Sequence, residues 1–201
     1  SPNPYQLTEA DRTVIGNTTP KFSGGFGLNA TYKGFDMSMF FNFMYDFDVL
    51  NANKIMLTTW ADNKENNFLM DIASDKRWRN FDDMGNEIRY SPEVLAEFNK
   101  NATMWNPTSI GRPICMSYAV EDGSFLRLNS ATLGYTLPSV WTKKVGLSKV
   151  RFYVSGNNLF TLTGYSGYDP EVNIATGLTP NIDYNRYPRS RTYTFGAQLT
   201  F

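Results

Sequence analysis

The chain has 201 residues, 19 basic against 19 acidic side chains, no histidine and a single cysteine, Cys115. The even charge argues against a nucleic-acid binder working by phosphate neutralisation. One cysteine excludes an intramolecular disulfide, and without histidine this chain alone cannot assemble Ser/His/Asp or Cys/His catalysis or the usual zinc and iron-sulfur ligand sets. No apolar run reaches the length of a transmembrane helix, yet 15% of the residues are aromatic. That combination suits transmembrane β-strands, which need only about 9 to 11 residues with alternating faces.

The first residues, Ser1-Pro2-Asn3-Pro4-Tyr5, have neither a charged nor an apolar signal region, so a mature product or an internal fragment is expected. From Phe22 the alternation is nearly clean: Phe22, Gly24, Phe26, Leu28, Ala30 and Tyr32 share one parity, with small or polar residues between them. After Lys33-Gly34 it resumes with Phe35, Met37, Met39, Phe41, Phe43 and Tyr45, which predicts a hairpin with strands over 22–33 and 35–46. Aromatics at both ends of the first strand fit a strand crossing two interfaces.

Over 47–116 the alternation is lost. The segment reads as one very long loop with a short helix from Pro92 to Lys100, capped by Ser91. Connections of that length are unusual in compact soluble domains and ordinary outside barrels.

A third strand is predicted over 124–137. Its parity changes between Leu126, Leu128 and Ala131, Leu133, Tyr135, Leu137, which predicts a β-bulge near Asn129 and Ser130. A modest turn follows Pro138, then a fourth strand over 149–157, a second long loop over 158–188 and a fifth strand over 191–201 ending on Phe201. The fold class expected is all-β, built of antiparallel transmembrane strands. Short and long connections alternate, which puts the short turns and the C-terminus on the periplasmic side and the long loops outside. Arg186, Arg189 and Arg191 then fall at the outer rim, within reach of lipopolysaccharide phosphates.

Several blocks carry a family resemblance along nearly the whole chain. They are Asp11-Arg12-Thr13-Val14-Ile15-Gly16-Asn17 with Pro20-Lys21-Phe22, Tyr32-Lys33-Gly34-Phe35-Asp36, and Gly123-Ser124-Phe125-Leu126-Arg127-Leu128 running into Leu133-Gly134-Tyr135-Thr136-Leu137-Pro138. The strongest is Asn158-Leu159-Phe160-Thr161 with Tyr165-Ser166-Gly167-Tyr168-Asp169-Pro170-Glu171-Val172. Tyr187-Pro188 and Thr192-Tyr193-Thr194-Phe195-Gly196 lead to Phe201. The sequence resembles the C-terminal end of a SusC/RagA-type TonB-dependent outer-membrane transporter of Bacteroidetes.

That resemblance implies a barrel of about 22 strands around an N-terminal plug. It also implies energisation through TonB, a SusD-like surface lipoprotein as partner, and import of glycans or oligopeptides across the outer membrane of a Gram-negative bacterium. Plug, TonB box and most strands would lie upstream. Five strands leave two open edges, which is costly in lipid, so a remaining N-terminal barrel and plug piece is expected to cover them.

Further expectations attach to residues. Tyr193, Phe195, Leu199 and Phe201 resemble the terminal signal that barrel-assembly machinery recognises, and they also suit lipid-facing packing. Trp60, Trp78 and Trp105 in the first long loop, with Tyr165, Tyr168 and Asp169 in the second, suit contact with a sugar or peptide ligand or with the lipoprotein, because aromatic faces stack and carboxylates orient polar groups. The aromatics could equally pack within the loops or on the lipoprotein, and for Tyr168, Asp169 and Pro170 loop architecture is the preferred reading, since Asp-Pro initiates turns. Asp36, Asn42, Arg127 and Arg151 fall on the lumen-facing parity, lining the channel or meeting the plug. Acidic clusters over 62–67 and 82–87 lack the EF-hand pattern, and no phosphate loop or placed carboxylate pair stands out. No cofactor and no enzymatic activity are expected. The alternative functions are a soluble carbohydrate-binding β-module and a small passive barrel.

Overall fold

The computed structural model describes residues 10, 12–59, 67–72, 76–107, 115–171 and 180–201. In chain order the elements are β1 (Phe22–Tyr32), β2 (Phe35–Tyr45), β3 (Asp48–Asn51), α1 (Ala52–Met56), α2 (Pro92–Asn99) and β4 (Val120–Asp122). Then come β5 (Phe125–Thr136), α3 (Ser139–Thr142), β6 (Lys149–Thr163), β7 (Ile182–Asp183) and β8 (Thr192–Thr200). None of the described helices is long and apolar enough to cross a membrane. Two compact units result: Ser1–Val49 with Glu121–Ile182 and Arg186–Phe201, and Leu50–Val120 with Asp183–Asn185. The short strands β3, β4 and β7 lie where the chain passes from one unit to the other.

The first unit is a five-stranded antiparallel sheet in the order β1-β2-β5-β6-β8. Lys33 at φ 47° and Gly34 at φ 90° make the two-residue turn between β1 and β2. Both central residues with positive φ match the twist of a tight hairpin. At Gly34 a side chain would run into the Thr136 carbonyl, so close approach as well as φ requires glycine there. Pairing is continuous from Phe22 opposite Tyr45 to Tyr32 opposite Phe35.

The β5 register slips where the parity change places it. Ser130 pairs with Phe40 and Leu128 with Phe41, so Asn129 is the extra residue. On the other side Leu128 meets Phe160 and Ser130 meets Asn157, so Asn158 and Leu159 bulge opposite Asn129. Asn158 takes φ 53° to do so. Two bulges abreast keep the apolar face in phase: without them every side chain beyond the slip would change face. This is also why β6 does not end at Asn157. It absorbs the irregularity and continues to Thr163.

Register sorts the side chains into two faces. Outward lie Phe22, Phe26, Leu28 and Tyr32 of β1, the Phe35 to Tyr45 series of β2, and Leu126, Leu128, Leu133 and Tyr135 of β5. Phe152, Val154, Phe160 and Leu162 of β6 and Tyr193, Phe195 and Leu199 of β8 complete that face. Rings meet across strands, Phe26 on Phe41 at 5.0 Å and Phe35 on Tyr135 at 4.4 Å between centroids. Most of this face is open, Phe195 being 81% exposed. A contiguous apolar surface of five strands is the signature of a wall that meets lipid or another chain.

The opposite face carries Asp36, Ser38, Asn42, Arg127, Thr132, Arg151, Ser155, Thr194 and Gln198. At the long-connection end this inner face has the unit's apolar core. Phe125 and Met44 project from it, and Phe47, Val49 and Tyr165 pack on them. The Phe47 and Phe125 rings stand edge to face at 6.5 Å.

The second unit corresponds to most of the first long loop, and it folds. Ile55, Ile72, Ile88, Met104 and Ala119 are buried, with Thr58, Thr59 and Asn99. The Asn99 amide replaces missing secondary structure: its Nδ2 donates to the Arg79 and Leu95 carbonyls at 2.9 and 2.8 Å, and its Oδ1 accepts from the Arg79 amide at 2.6 Å. The helix α2 begins at Pro92 after Ser91, but the Ser91 hydroxyl makes no capping bond; its carbonyl accepts from Leu95 instead.

Candidate functional site

Two ionic groups stand on the inner face of the sheet. The first joins the two strands that flank β5: Arg151 of β6 donates from Nε to Asp36 Oδ1 of β2 at 2.9 Å and from Nη2 to Oδ2 at 2.5 Å. To reach β2 from β6 the guanidinium lies flat over Gly134 of β5, where a Cβ would displace it. Glycine in mid-strand is the space through which the pair closes, in the two-pronged geometry that makes Arg–carboxylate pairs strong. Gly196 of β8 plays a like part beneath the Tyr153 ring.

The second group is buried and joins wall to loop. Arg127 of β5, 2% exposed, donates from Nη2 to Asp169 Oδ1 at 2.5 Å. Its Nε stands 3.3 Å from Glu171 Oε2, outside hydrogen-bonding geometry, so that contact is an ion pair alone. Arg189 reaches Glu171 Oε1 from the other side at 3.3 Å. Burial works to raise the Asp169 pKa, but the Arg127 bond and the backbone amides of Glu171 and Arg189 hold it below the usual carboxylate range. Two cations and two carboxylates balance, which lets the cluster survive burial.

The segment before Asp169 is anchored as well. Tyr165 is 6% exposed in the core with Phe47 and Phe125. The Ser166 amide and hydroxyl both bond Glu121, at 2.9 Å each. The Tyr168 ring projects, 85% exposed.

Of the candidate ligand contacts in the second long loop, then, the structure puts Tyr165 into packing and Asp169 into the ion cluster, and leaves the Tyr168 ring exposed. Trp105 is committed within the second unit: its Nε1 donates to the Thr58 carbonyl at 3.2 Å and its ring stands on Tyr118 at 5.1 Å. Trp78 is 41% exposed, and Trp60 lies outside the described residues. Asn42 lies beside Arg127 in register, its Oδ1 buried with no partner among the described residues. Tyr193, Phe195 and Leu199 stand on the outward face, and Phe201 is exposed beyond β8.

Asp82 folds its own loop. It accepts from the Met84 and Asn86 amides and the Asn86 side chain, which hold its pKa down. No group of carboxylates among the described residues could hold a metal ion. The first acidic cluster lies almost wholly outside the described residues. Glu171, Arg189 and Glu121 were not legible as anchors in the sequence.

A lipid-type outward face, a polar inner face and long connections at one end define a segment of an outer-membrane β-barrel wall. No protein-family model matches the chain. It is 35% identical over 202 residues to TonB-dependent receptor P3 of Formosa agariphila, covering 98% of this chain and 18% of that receptor. It is 38% identical over 88 residues to TonB-dependent receptor SusC of Bacteroides thetaiotaomicron, covering 42% of this chain and 8% of that one. Among solved structures, the RagAB peptide importer in its closed-closed state superposes with a TM-score of 0.75 at 25% identity, over 98% of this chain and 19% of that one. The chain belongs to the TonB-dependent receptors of the SusC and RagA type, and it spans less than a fifth of the length of these relatives.

Proposed function

We propose that these residues are the C-terminal wall segment of a TonB-dependent importer that takes up glycans or oligopeptides across the outer membrane. The observation that carries this is the one-sided apolar sheet, aligned over 98% of the chain with a TonB-dependent receptor and with an importer of known structure. A soluble carbohydrate-binding module would cover that face with a second layer, and none is present among the described residues. A small passive barrel would need an even number of strands, at least about 8 in one chain, against the five of the sheet here.

In this reading the remaining barrel pairs with the free edges of β1 and β8, and Asp36, Asn42, Arg127 and Arg151 face the lumen and its plug. A SusD-like lipoprotein closes the outer end, with Tyr168 and Trp78 on the ligand or lipoprotein side. Tyr193, Phe195, Leu199 and Phe201 serve recognition by the barrel-assembly machinery. Arg186 and Arg191 reach lipopolysaccharide phosphates at the outer rim, Arg189 being shared with Glu171. The test is an affinity tag on the intact receptor, identification of every co-purifying chain, and growth of a strain lacking the receptor on defined glycans and peptides. A plug-bearing polypeptide, a surface lipoprotein and loss of growth on one nutrient class are expected. A tagged species that purifies alone, with unaltered growth, would overturn the reading.

A further inference from the structure

At the end of the sheet with the short connections, α3 and a single helical turn, Lys143–Val145, join β5 to β6, and Gly146 at φ 77° turns the chain back. The Leu137 amide donates to the Val150 carbonyl at 2.9 Å and closes the base of this connection. Register puts Val150 on the outward face with Phe152, opposite Leu199. Yet Val150 is 5% exposed where Phe152 is 52%. The helix α3 packs on β6, the strand that carries Val150. The connection therefore lies over the outward, apolar side of the sheet rather than over the lumen.

Its own surface is two-natured. Val140, Trp141 and Val145 are 69, 60 and 70% exposed. Lys143 and Lys144 of the same connection are exposed too, and Lys33 of the neighbouring hairpin turn stands over the Tyr32 ring at 5.1 Å. The carboxylate described at this end, Asp36, is committed to Arg151 on the inner face. Apolar side chains next to an outward apolar wall, an exposed tryptophan, and two exposed lysines without an ion-pair partner among the described residues suit a membrane surface of negative charge.

We propose that α3 and the turn after it dock on anionic phospholipid headgroups of the leaflet at this end, with Val140, Trp141 and Val145 at the acyl boundary and Lys143 and Lys144 on the phosphates. The inference needs the barrel wall and is independent of what the receptor transports.

The test uses the complete receptor with its native cysteines replaced by serine, a fluorophore on Val145→Cys, and nanodiscs of phosphatidylcholine with or without phosphatidylglycerol. Brominated phosphatidylglycerol should quench the label more strongly than brominated phosphatidylcholine. Lys143→Gln and Lys144→Gln should each reduce that preference about fivefold, as a lysine near an anionic surface implies. The same label on Val140→Cys gives a second reading should the first site perturb the turn. Quenching by aqueous iodide and by neither lipid would mean that the surface meets water or protein. Equal quenching by both lipids, unchanged by the glutamine variants, would mean apolar insertion without headgroup recognition. Either result overturns the proposal.

Discussion

Removing one partner from the Arg127–Asp169–Glu171 cluster should free the segment 164–171 from the barrel wall. Arg127 is 2% and Asp169 7% exposed at the side chain, so neither has water to fall back on. Asp169→Asn leaves Arg127 facing Glu171 in an imperfect pair, which places the cost at the low end of the range for a broken buried pair, about 3 kcal/mol. Arg127→Met leaves two carboxylates with only the half-exposed Arg189 to balance them, which places it at the high end, about 5 kcal/mol. The double variant restores one cation to one anion and should cost far less than the sum. The reporters are the amides of Tyr165, Ser166 and Glu171, which donate to Thr163 Oγ1, Glu121 Oε2 and Asp169 Oδ1 at 3.1, 2.9 and 2.9 Å. Hydrogen exchange of the purified receptor, read by mass spectrometry, should speed up about two orders of magnitude at these amides in Asp169→Asn, and further in Arg127→Met. Additive effects in the double variant, or exchange unchanged in either single one, would refute an ionic anchor.

Protection of the same amides should depend on pH with a definite sign. Because the folded-state Asp169 pKa is depressed, its contribution is complete above the ordinary carboxylate pKa and is lost as pH falls through the folded value; Asp169→Asn should flatten that acid limb, and an unaltered limb assigns it to another group. Tyr165→Ala opens a cavity against Phe47, Val49 and Phe125 and should cost about 3 to 4 kcal/mol, seen as faster exchange in both the segment and 45–49, whereas slow exchange at 45–49 would show that the core closes without it. Gly134→Ala should push the Arg151 guanidinium off Asp36 and lower the urea midpoint of the detergent-solubilised receptor, an effect absent when Asp36→Asn is already in place; an equal drop in both backgrounds would point to strand geometry instead. Tyr168→Ala should leave segment exchange unchanged and weaken uptake of the receptor's nutrient, since the ring is 85% exposed; normal uptake would remove it from the ligand surface.

Where the backbone repeats, the sequence is legible. The parity of Phe22 to Tyr45 gives the hairpin, and the broken parity after Leu128 gives the bulge at Asn129, because a sheet with one lipid face cannot tolerate a slip in phase. The end of β6 is not legible, for the same reason in reverse. The alternation stops at Asn157, where Asn158 takes φ 53°, but the strand resumes because Asn129 opposite supplies the matching irregularity. A single strand's sequence does not contain its neighbour's bulge. The second unit was illegible for a different cause: Ile55, Ile72, Ile88, Met104 and Ala119 follow no period, and buried polar bonds from Asn99 and Thr58 replace repeating structure.

The block from Tyr165 to Glu171 shows how side chains that look alike in a sequence divide their work. Tyr165 and Tyr168 are both tyrosines of a glycine-rich loop, and sequence alone makes each a stacking surface. The difference comes from residues far along the chain: Phe47 and Phe125 take Tyr165 into the core, Glu121 fixes Ser166, and Arg127, 42 positions before Asp169, fixes the far side. Anchors on both flanks leave Tyr168 with little backbone freedom and a free ring, so ordering it on a ligand costs little further entropy. The anchors can stay constant while the displayed position varies, because a substitution at Tyr168 disturbs none of the bonds that hold the loop. A receptor wall built this way can change what it touches without changing how it folds.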